Sequence, residues 1–321
     1  MKSNSEFVPA AGLKNCHLQT LLPTLLRARL TVKYINQVFE LPDGDFIELS
    51  WTEKPVCNKP IVIVFHGLEG SDYSPYSKGI MREIKKQGWV GLLMHFRGCS
   101  GKLNRLARSY HSGETGDAIT LINWLTREYP DSPLMAIGYS LGGNMLVKLQ
   151  GELGEKSPLV AAVSICAPLE LNECAIRINQ GFSKFYQYHL INRLKAKVKH
   201  KRNYIKLDFT YKLNIQKIKT FRQFDNHITA PLHGFTGVDD YYTQASSKQY
   251  IKYIRQPMLI IQSLDDPFMS NKVIPDENEL SEFTRLEISQ FGGHVGFLSG
   301  SVLKPVFWLD ERITKYLSSY V

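Results

Sequence analysis

Hydrophobic and polar positions change rhythm along the chain, and each rhythm predicts an element. From Thr31 to Trp51, two alternating segments flank Leu41-Pro42-Asp43-Gly44-Asp45, the signature of a β-hairpin. Ile61-Val62-Ile63-Val64-Phe65 is an unbroken apolar run rich in β-branched residues, as in a strand buried on both faces. Helical spacing follows from about Tyr76 to Gln87, then a strand from Trp89 to Phe96 and a helix from Gly116 to Arg127. Leu134-Met135-Ala136-Ile137 is the next strand, a helical pattern begins at Gly143, and Val160 to Cys166 is again a strand. Such alternation predicts an α/β protein with a mostly parallel, doubly wound sheet.

After Ala167-Pro168 the alternation stops. Residues 169 to 250 carry helical, basic and aromatic patterns without a convincing inner strand, whereas strands resume at Met258 to Gln262 and Thr284 to Ser289. A terminal helix is expected over Val302 to Leu317. The organisation expected is therefore a core of residues 1–168 and 251–321, with residues 169–250 inserted as a helical cap over the strand ends, where open α/β sheets bind ligands. The first thirty residues read as an irregular start and a short apolar helix, Leu18 to Leu30, interrupted at Pro23.

Within that frame, Gly138-Tyr139-Ser140-Leu141-Gly142 lies between a strand and a helix. Gly-x-Ser-x-Gly in this setting is a nucleophile elbow, in which glycines two residues either side relieve a tight, strained turn at the serine. A serine hydroxyl needs a base within hydrogen-bond reach, and the base should follow the last strands. Among nine histidines only His294 does, in Phe291-Gly292-Gly293-His294-Val295-Gly296-Phe297. The supporting acid is expected after the preceding strand, in Leu264-Asp265-Asp266-Pro267-Phe268. Asp265 leaves the strand first and is favoured, while Asp266, restricted by the proline after it, suits a turn. Asp239 and Asp240 fall inside the insertion and are read as structural.

Acyl transfer also needs donors for a developing oxyanion. The Leu141 amide, next to the serine, is one. Leu68, in the loop His66-Gly67-Leu68-Glu69-Gly70 after the first parallel strand, is the second, with Gly67 as its neighbouring alternative. His66 is expected to brace that loop. Arg97-Gly98-Cys99-Ser100-Gly101 looks like a second elbow but lacks glycine at position 102 and reads as a structural turn; His111 is given an ordering role.

Composition narrows the classes. The 321 residues are 43% hydrophobic and 21% charged, ordinary values for a globular protein. No apolar run is long enough for a membrane-spanning helix and no secretory leader is evident. Five cysteines without a CxxC pair suggest thiols in a cytoplasm. HExxH spacing, a P-loop and a GxGxxG after the first strand are all lacking, so no metal and no cofactor are expected. The net charge of +9 is concentrated between Arg193 and Arg222, where eleven Lys or Arg accompany one acid. A solvated helical face is expected for that segment, with peripheral contact of residues 193–222 with an anionic membrane, or an approach patch for an anionic substrate, as the alternatives. Without a recognition motif, nucleic acid is not expected.

These residues resemble the YheT-like branch of the α/β-hydrolase superfamily, bacterial relatives of the eukaryotic ABHD lipases and esterases. Asn15-Cys16-His17-Leu18-Gln19-Thr20 is similar to the family's Asn-Pro-His-Leu-Gln-Thr, with cysteine in place of proline. The blocks at 66–70, 95–101, 111–115, 229–235, 265–268 and 292–297 are similar to family blocks, so the likeness runs from about 10 to 318. The resemblance implies a triad of Ser140, Asp265 and His294 and hydrolysis of carboxylic esters, often acyl or lipid-like. Thioesterase or acyltransferase chemistry would use the same residues, and a silent binding protein is the remaining alternative. The basic stretch matches no family block.

Overall fold

In a computed structural model, residues 1–205, 213–301 and 303–321 are described. Eleven strands among them are β1 (Lys2–Asn4), β2 (Ile35–Glu40), β3 (Phe46–Trp51), β4 (Ile61–Phe65), β5 (Val90–Met94), β6 (Leu134–Tyr139), β7 (Leu159–Ile165), β8 (Met258–Ser263), β9 (Thr284–Ser289), β10 (Leu298–Gly300) and β11 (Pro305–Phe307). The first nine form one sheet in the order β1-β9-β8-β7-β6-β4-β5-β3-β2, parallel except where β3 pairs with β2 and β5. The expected hairpin is thus the antiparallel edge of a parallel sheet.

The longer helices are α1 (Cys16–Leu26), α2 (Pro75–Lys86), α3 (Gly116–Glu128), α4 (Leu141–Leu153), α5 (Leu171–Ile178), α6 (Ser183–Arg202), α7 (Val238–Ala245) and α8 (Trp308–Leu317). Alternate residues of the central strands feed two apolar layers. Ile61, Ile63 and Phe65 pack on one side with residues of α3 and α4, and Val62 and Val64 on the other with residues of α2 and α8. Every residue of β4 through β6 is buried, which is why these strands read as continuous apolar runs.

Three differences from expectation have local causes. β1 pairs in parallel with β9 through the backbone of Lys2, Ser3 and Asn4, a polar triplet that carries no strand signal. Pro23 lies inside α1 without interrupting it. The Gln19 carbonyl, which lacks the helical donor that proline removes, faces Gly296, where a Cβ would approach to 1.9 Å. The terminal helix begins at Trp308 because 305–307 pair with 298–300 as a small ribbon; Val302, the expected start of that helix, lies outside the described residues.

Between β7 and β8 the chain leaves the sheet and builds α5, α6, α7 and shorter turns. Its own apolar clusters, such as Ile191, Ile218, Phe224 and Ile228, are separate from the sheet layers. Much of its charge turns inward. The Lys197 Nζ donates to Glu69 Oε1 at 2.5 Å and lies 3.2 Å from Cys99 Sγ. Lys201 Nζ donates to Asn104 Oδ1 and the Arg108 carbonyl, Arg193 to the Glu69 carbonyl, and Lys195 to the Ile218 carbonyl. Lys195 and Lys201 are buried and Lys197 half-buried, so these three fasten the segment from within, whereas Arg193, Lys199, Lys217, Lys219 and Arg222 are exposed. Lys206 and Lys212 of the basic stretch lie outside the described residues.

Candidate active site

Ser140 closes β6 and opens α4 with φ 52° and ψ −116°, a conformation that L residues rarely adopt. Glycine on both sides is a steric requirement here. A Cβ on Gly138 would lie 2.5 Å from the Gly142 carbonyl oxygen, and one on Gly142 would lie 2.4 Å from that of Phe65. Among the described residues six non-glycines have positive φ, and five of them (Glu69, Ser140, Cys166, Val295 and Phe297) stand on loops around this serine. Strain concentrated in this way marks a site held in shape by its surroundings.

The Ser140 Oγ is 3.0 Å from Nε2 of His294, and Nδ1 of that ring is 2.8 Å from Oδ2 of Asp266. The partner of the histidine is therefore Asp266 and not Asp265, a correction to the sequence reading. Its cause lies in the turn after β8. Pro267 has no N–H, so the Phe268 amide folds back to donate to Asp266 Oδ1 at 2.8 Å, leaving Oδ2 for the imidazole. Asp265 points elsewhere, accepting from the Gly293 amide at 2.9 Å. Burial raises its carboxyl above the ordinary range, and the neighbouring charge of Asp266 adds to this against the lowering effect of the Gly293 amide.

His294 is fixed by contacts from three elements. The Phe268 ring stacks on it at 4.0 Å and 7°. Its backbone amide donates to Thr20 Oγ1 of α1 at 2.9 Å, and Thr20 in turn donates to the Cys16 carbonyl. Gln19, fully buried, donates to the carbonyls of Leu13 and Leu298 and accepts from the Leu298 amide. The Asn15–Thr20 block, visible in sequence only as a likeness, thus anchors the histidine loop. Cys166 Sγ accepts from the Val295 amide at 3.4 Å, and burial pushes its thiol well up.

The loop after β4 presents one unoccupied amide. Gly67 N–H donates to the Tyr76 hydroxyl at 2.8 Å, Glu69 N–H to the Tyr110 hydroxyl at 2.9 Å, and Gly70 N–H to the Gly67 carbonyl. The Leu68 amide has no protein acceptor among the described residues. Leu141 is the first residue of α4, where helix amides lack intrahelical partners. His66 lies beneath this loop. Nδ1 donates to the Gly67 carbonyl at 2.7 Å and Nε2 accepts from the Phe96 amide at 3.1 Å. Burial holds it neutral, with its pKa pushed down to about 3. Arg97 is likewise structural, its guanidinium bridging Asp45 and Asp117 in the interior.

Ser140, Leu68, Leu141 and His294 line a cavity of about 180 Å³. Its other walls are mainly apolar and come from the inserted segment, among them Leu171, Ile178, Leu194, Phe224 and Ile228. His111 and His233 line it too, their rings 4.7 Å apart. Ligand-type atoms of His111, Glu114 and His233 lie within 4.8 Å of one another, as do those of Cys166, Asp266 and His294. Neither group is well suited to a cation. In the second the atoms are committed to hydrogen bonds, and in the first Glu114 pairs with Arg108. Burial, reinforced by nearby cations, pushes both imidazoles of the first group down to about 3.

A serine on a strand–helix turn, with histidine and acid on later loops of a mostly parallel sheet, defines an α/β hydrolase. The chain belongs to that family: residues 60–301 match its model, described as the alpha/beta hydrolase fold. It is 45% identical to YheT of Escherichia coli (strain K12), a candidate esterase, over 99% of this chain and 95% of that protein. Phospholipase ABHD3 of Homo sapiens is 28% identical, over 94% of this chain and 76% of its own length. Among solved structures, the Pyrococcus furiosus esterase Pf2001 shares the fold, with a TM-score of 0.56 at 16% identity, covering 91% of this chain and 94% of that one.

Proposed function

We propose that this enzyme of the esterase and lipase type cleaves carboxylic esters of short to medium acyl chains through an acyl-enzyme on Ser140. The observation that carries the proposal is the continuous hydrogen-bonded chain from Ser140 through His294 to Asp266 at the head of a largely apolar cavity. Ser140 Oγ attacks the ester carbonyl as His294 Nε2 takes its proton. Asp266 holds the ring with Nδ1 protonated and stabilises the imidazolium. The Leu68 and Leu141 amides donate to the tetrahedral oxyanion. Collapse expels the alcohol, which takes the proton from Nε2. Water, deprotonated by the same nitrogen, then attacks the acyl-enzyme, releasing the acid and restoring Ser140.

The apolar walls supplied by the inserted segment support a cap that encloses the acyl group, with residues 169–250 as that unit. Free thiols at all five cysteines accord with a cytoplasmic setting. Esterase and lipase names among relatives favour an ester or lipid-like substrate. Membrane contact through residues 193–222 receives less support, since Lys195, Lys197 and Lys201 are committed to internal partners. The test is labelling with a fluorophosphonate beside hydrolysis of p-nitrophenyl butyrate. Both are expected for the native chain and neither for Ser140→Ala. Turnover that survives in the folded Ser140→Ala chain refutes the serine mechanism.

A further inference from the structure

We propose that the outer face of α1 and the first half of α6 form a docking surface for an anionic lipid bilayer. Helix α1, Cys-His-Leu-Gln-Thr-Leu-Leu-Pro-Thr-Leu-Leu, has no Asp, Glu, Lys or Arg. Leu18, Leu21 and Leu25, at spacings of three and four, stand on one side of it, and they are 46%, 40% and 69% exposed. A soluble helix normally turns such a stripe toward a core; here the core-facing positions are Gln19 and Pro23.

The stripe is not isolated. The His17 ring lies 4.5 Å from that of Phe182, and its Nδ1 is 3.1 Å from the Tyr186 hydroxyl. Phe182 lies 5.8 Å from Phe185, and both rings are more than half exposed, as is Tyr188. Two elements distant in sequence therefore present one apolar surface, of the kind that marks an interaction site.

Charge selects the partner. No Asp or Glu occurs from Phe7 to Phe39 or from Cys174 to Ile205, the two stretches that carry this surface. Lys14, Arg29, Lys33 and Lys184 on them are exposed. Apolar side chains on stretches that carry cations and no acid of their own suit the headgroup boundary of an anionic leaflet. No described helix is long and apolar enough to cross a membrane.

The surface is also coupled to the active site. Rings step from Phe182 to Tyr186, on to Phe268 at 5.0 Å and then to His294 at 4.0 Å. Thr20 of α1 holds the His294 amide. A bilayer seated here lies beside the histidine loop, where lipid-soluble esters are concentrated.

Vesicle sedimentation tests this, and it uses the full chain with Ser140→Ala so that binding is read without hydrolysis. The chain is expected to bind phosphatidylcholine vesicles containing phosphatidylglycerol, and to bind less in high salt or to phosphatidylcholine alone. Adding Leu21→Gln, Leu25→Gln and Phe185→Gln should weaken binding at least about tenfold, given the apolar area withdrawn. The same three substitutions on the Ser140-intact chain should leave fluorophosphonate labelling unchanged, which shows that the fold persists. Charge reversal at Lys14 and Lys184 should also weaken binding, whereas reversal at Lys217 and Lys219 should not. The proposal is overturned if the chain ignores anionic vesicles, if the glutamine variant binds as well, or if only the Lys217 and Lys219 reversals matter. It is equally overturned if the chain is a dimer that the glutamine substitutions dissociate, since a second copy then covers the face. Loss of labelling with vesicle binding intact would count against the esterase reading alone.

Discussion

Asp266, and not its neighbour Asp265, meets the catalytic candidate His294, with 2.8 Å between Oδ2 and Nδ1. The two carboxylates adjoin in sequence yet serve different loops, because Asp265 accepts from the Gly293 amide. Asp266→Asn should lower kcat for p-nitrophenyl butyrate by about 10³- to 10⁴-fold, the scale set when a supporting acid no longer fixes the imidazole tautomer. Asp265→Asn keeps an acceptor for Gly293 and should cost less than about tenfold, the scale of one weakened neutral hydrogen bond. The reverse ranking in steady-state rates would return the acid role to Asp265.

Thr20 stands nearly the whole length of the chain away from the histidine whose backbone it holds. Thr20→Val preserves shape but leaves the His294 amide without its acceptor, a loss of about 1–3 kcal/mol for a buried donor. Because the group positions the imidazole without touching substrate, kcat should fall roughly tenfold while KM stays near its native value. Thr20→Ser keeps the hydroxyl and should restore most of the rate. A change confined to thermal stability would assign Thr20 a structural role only.

Ser140 and His294 were legible in sequence because local geometry dictates their surroundings: two glycines for the strained serine, paired glycines for the histidine turn. The parallel core was legible for a similar reason, since β4 through β7 must be apolar on both faces. The choice between Asp265 and Asp266 was not, for it depends on how Phe268 folds back past Pro267. Nor was the role of the basic stretch. The partners of Lys197 and Lys201, Glu69 and Asn104, are about a hundred residues distant in sequence, so these two members of an apparent surface run are internal fasteners. β1 is a backbone pairing of three polar residues and leaves no pattern at all.

Gly142 tests the packing that the elbow demands. Its added Cβ would meet the carbonyl oxygens of Phe65 and His66 at 2.4 and 2.6 Å, and backbone cannot rotate away as a side chain can. Gly142→Ala should therefore destabilise by about 3 kcal/mol or more, in the range of severe overpacking. Thermal melting and soluble yield are the measures. A fully folded variant melting within a degree of the native chain would contradict this close approach.

Asp225 gives the fold a pH dependence of predictable sign. It lines the cavity and accepts from the Thr229 and Tyr242 hydroxyls, yet burial pushes its pKa up to about 6. A carboxyl raised on folding favours the protonated native state. Its stabilisation is fully present below the ordinary carboxyl range near 4 and is lost as pH rises through about 6. An asparagine side chain never ionises, so Asp225→Asn should gain on the native chain between pH 5 and pH 8 by about 2 °C or more in Tm. A Tm difference that is constant across that interval would mean that Asp225 does not change its protonation there.

Chain-length selectivity follows from the same walls. Each methylene that enters the apolar cavity contributes up to about 0.8 kcal/mol, roughly fourfold in kcat/KM when the contact persists in the transition state. The gain ends when the enclosed space is filled, after which further carbons must open the inserted segment or stay in water. Across p-nitrophenyl esters from acetate to palmitate, kcat/KM should rise, peak at short to medium chains and then fall. Narrowing the wall should move the peak: Ile228→Phe should shift it toward acetate, and Ile228→Ala toward longer chains. Faster turnover of palmitate than of butyrate by the native chain would mean that the cavity is open along its length, with the inserted segment acting as a groove and not a cap.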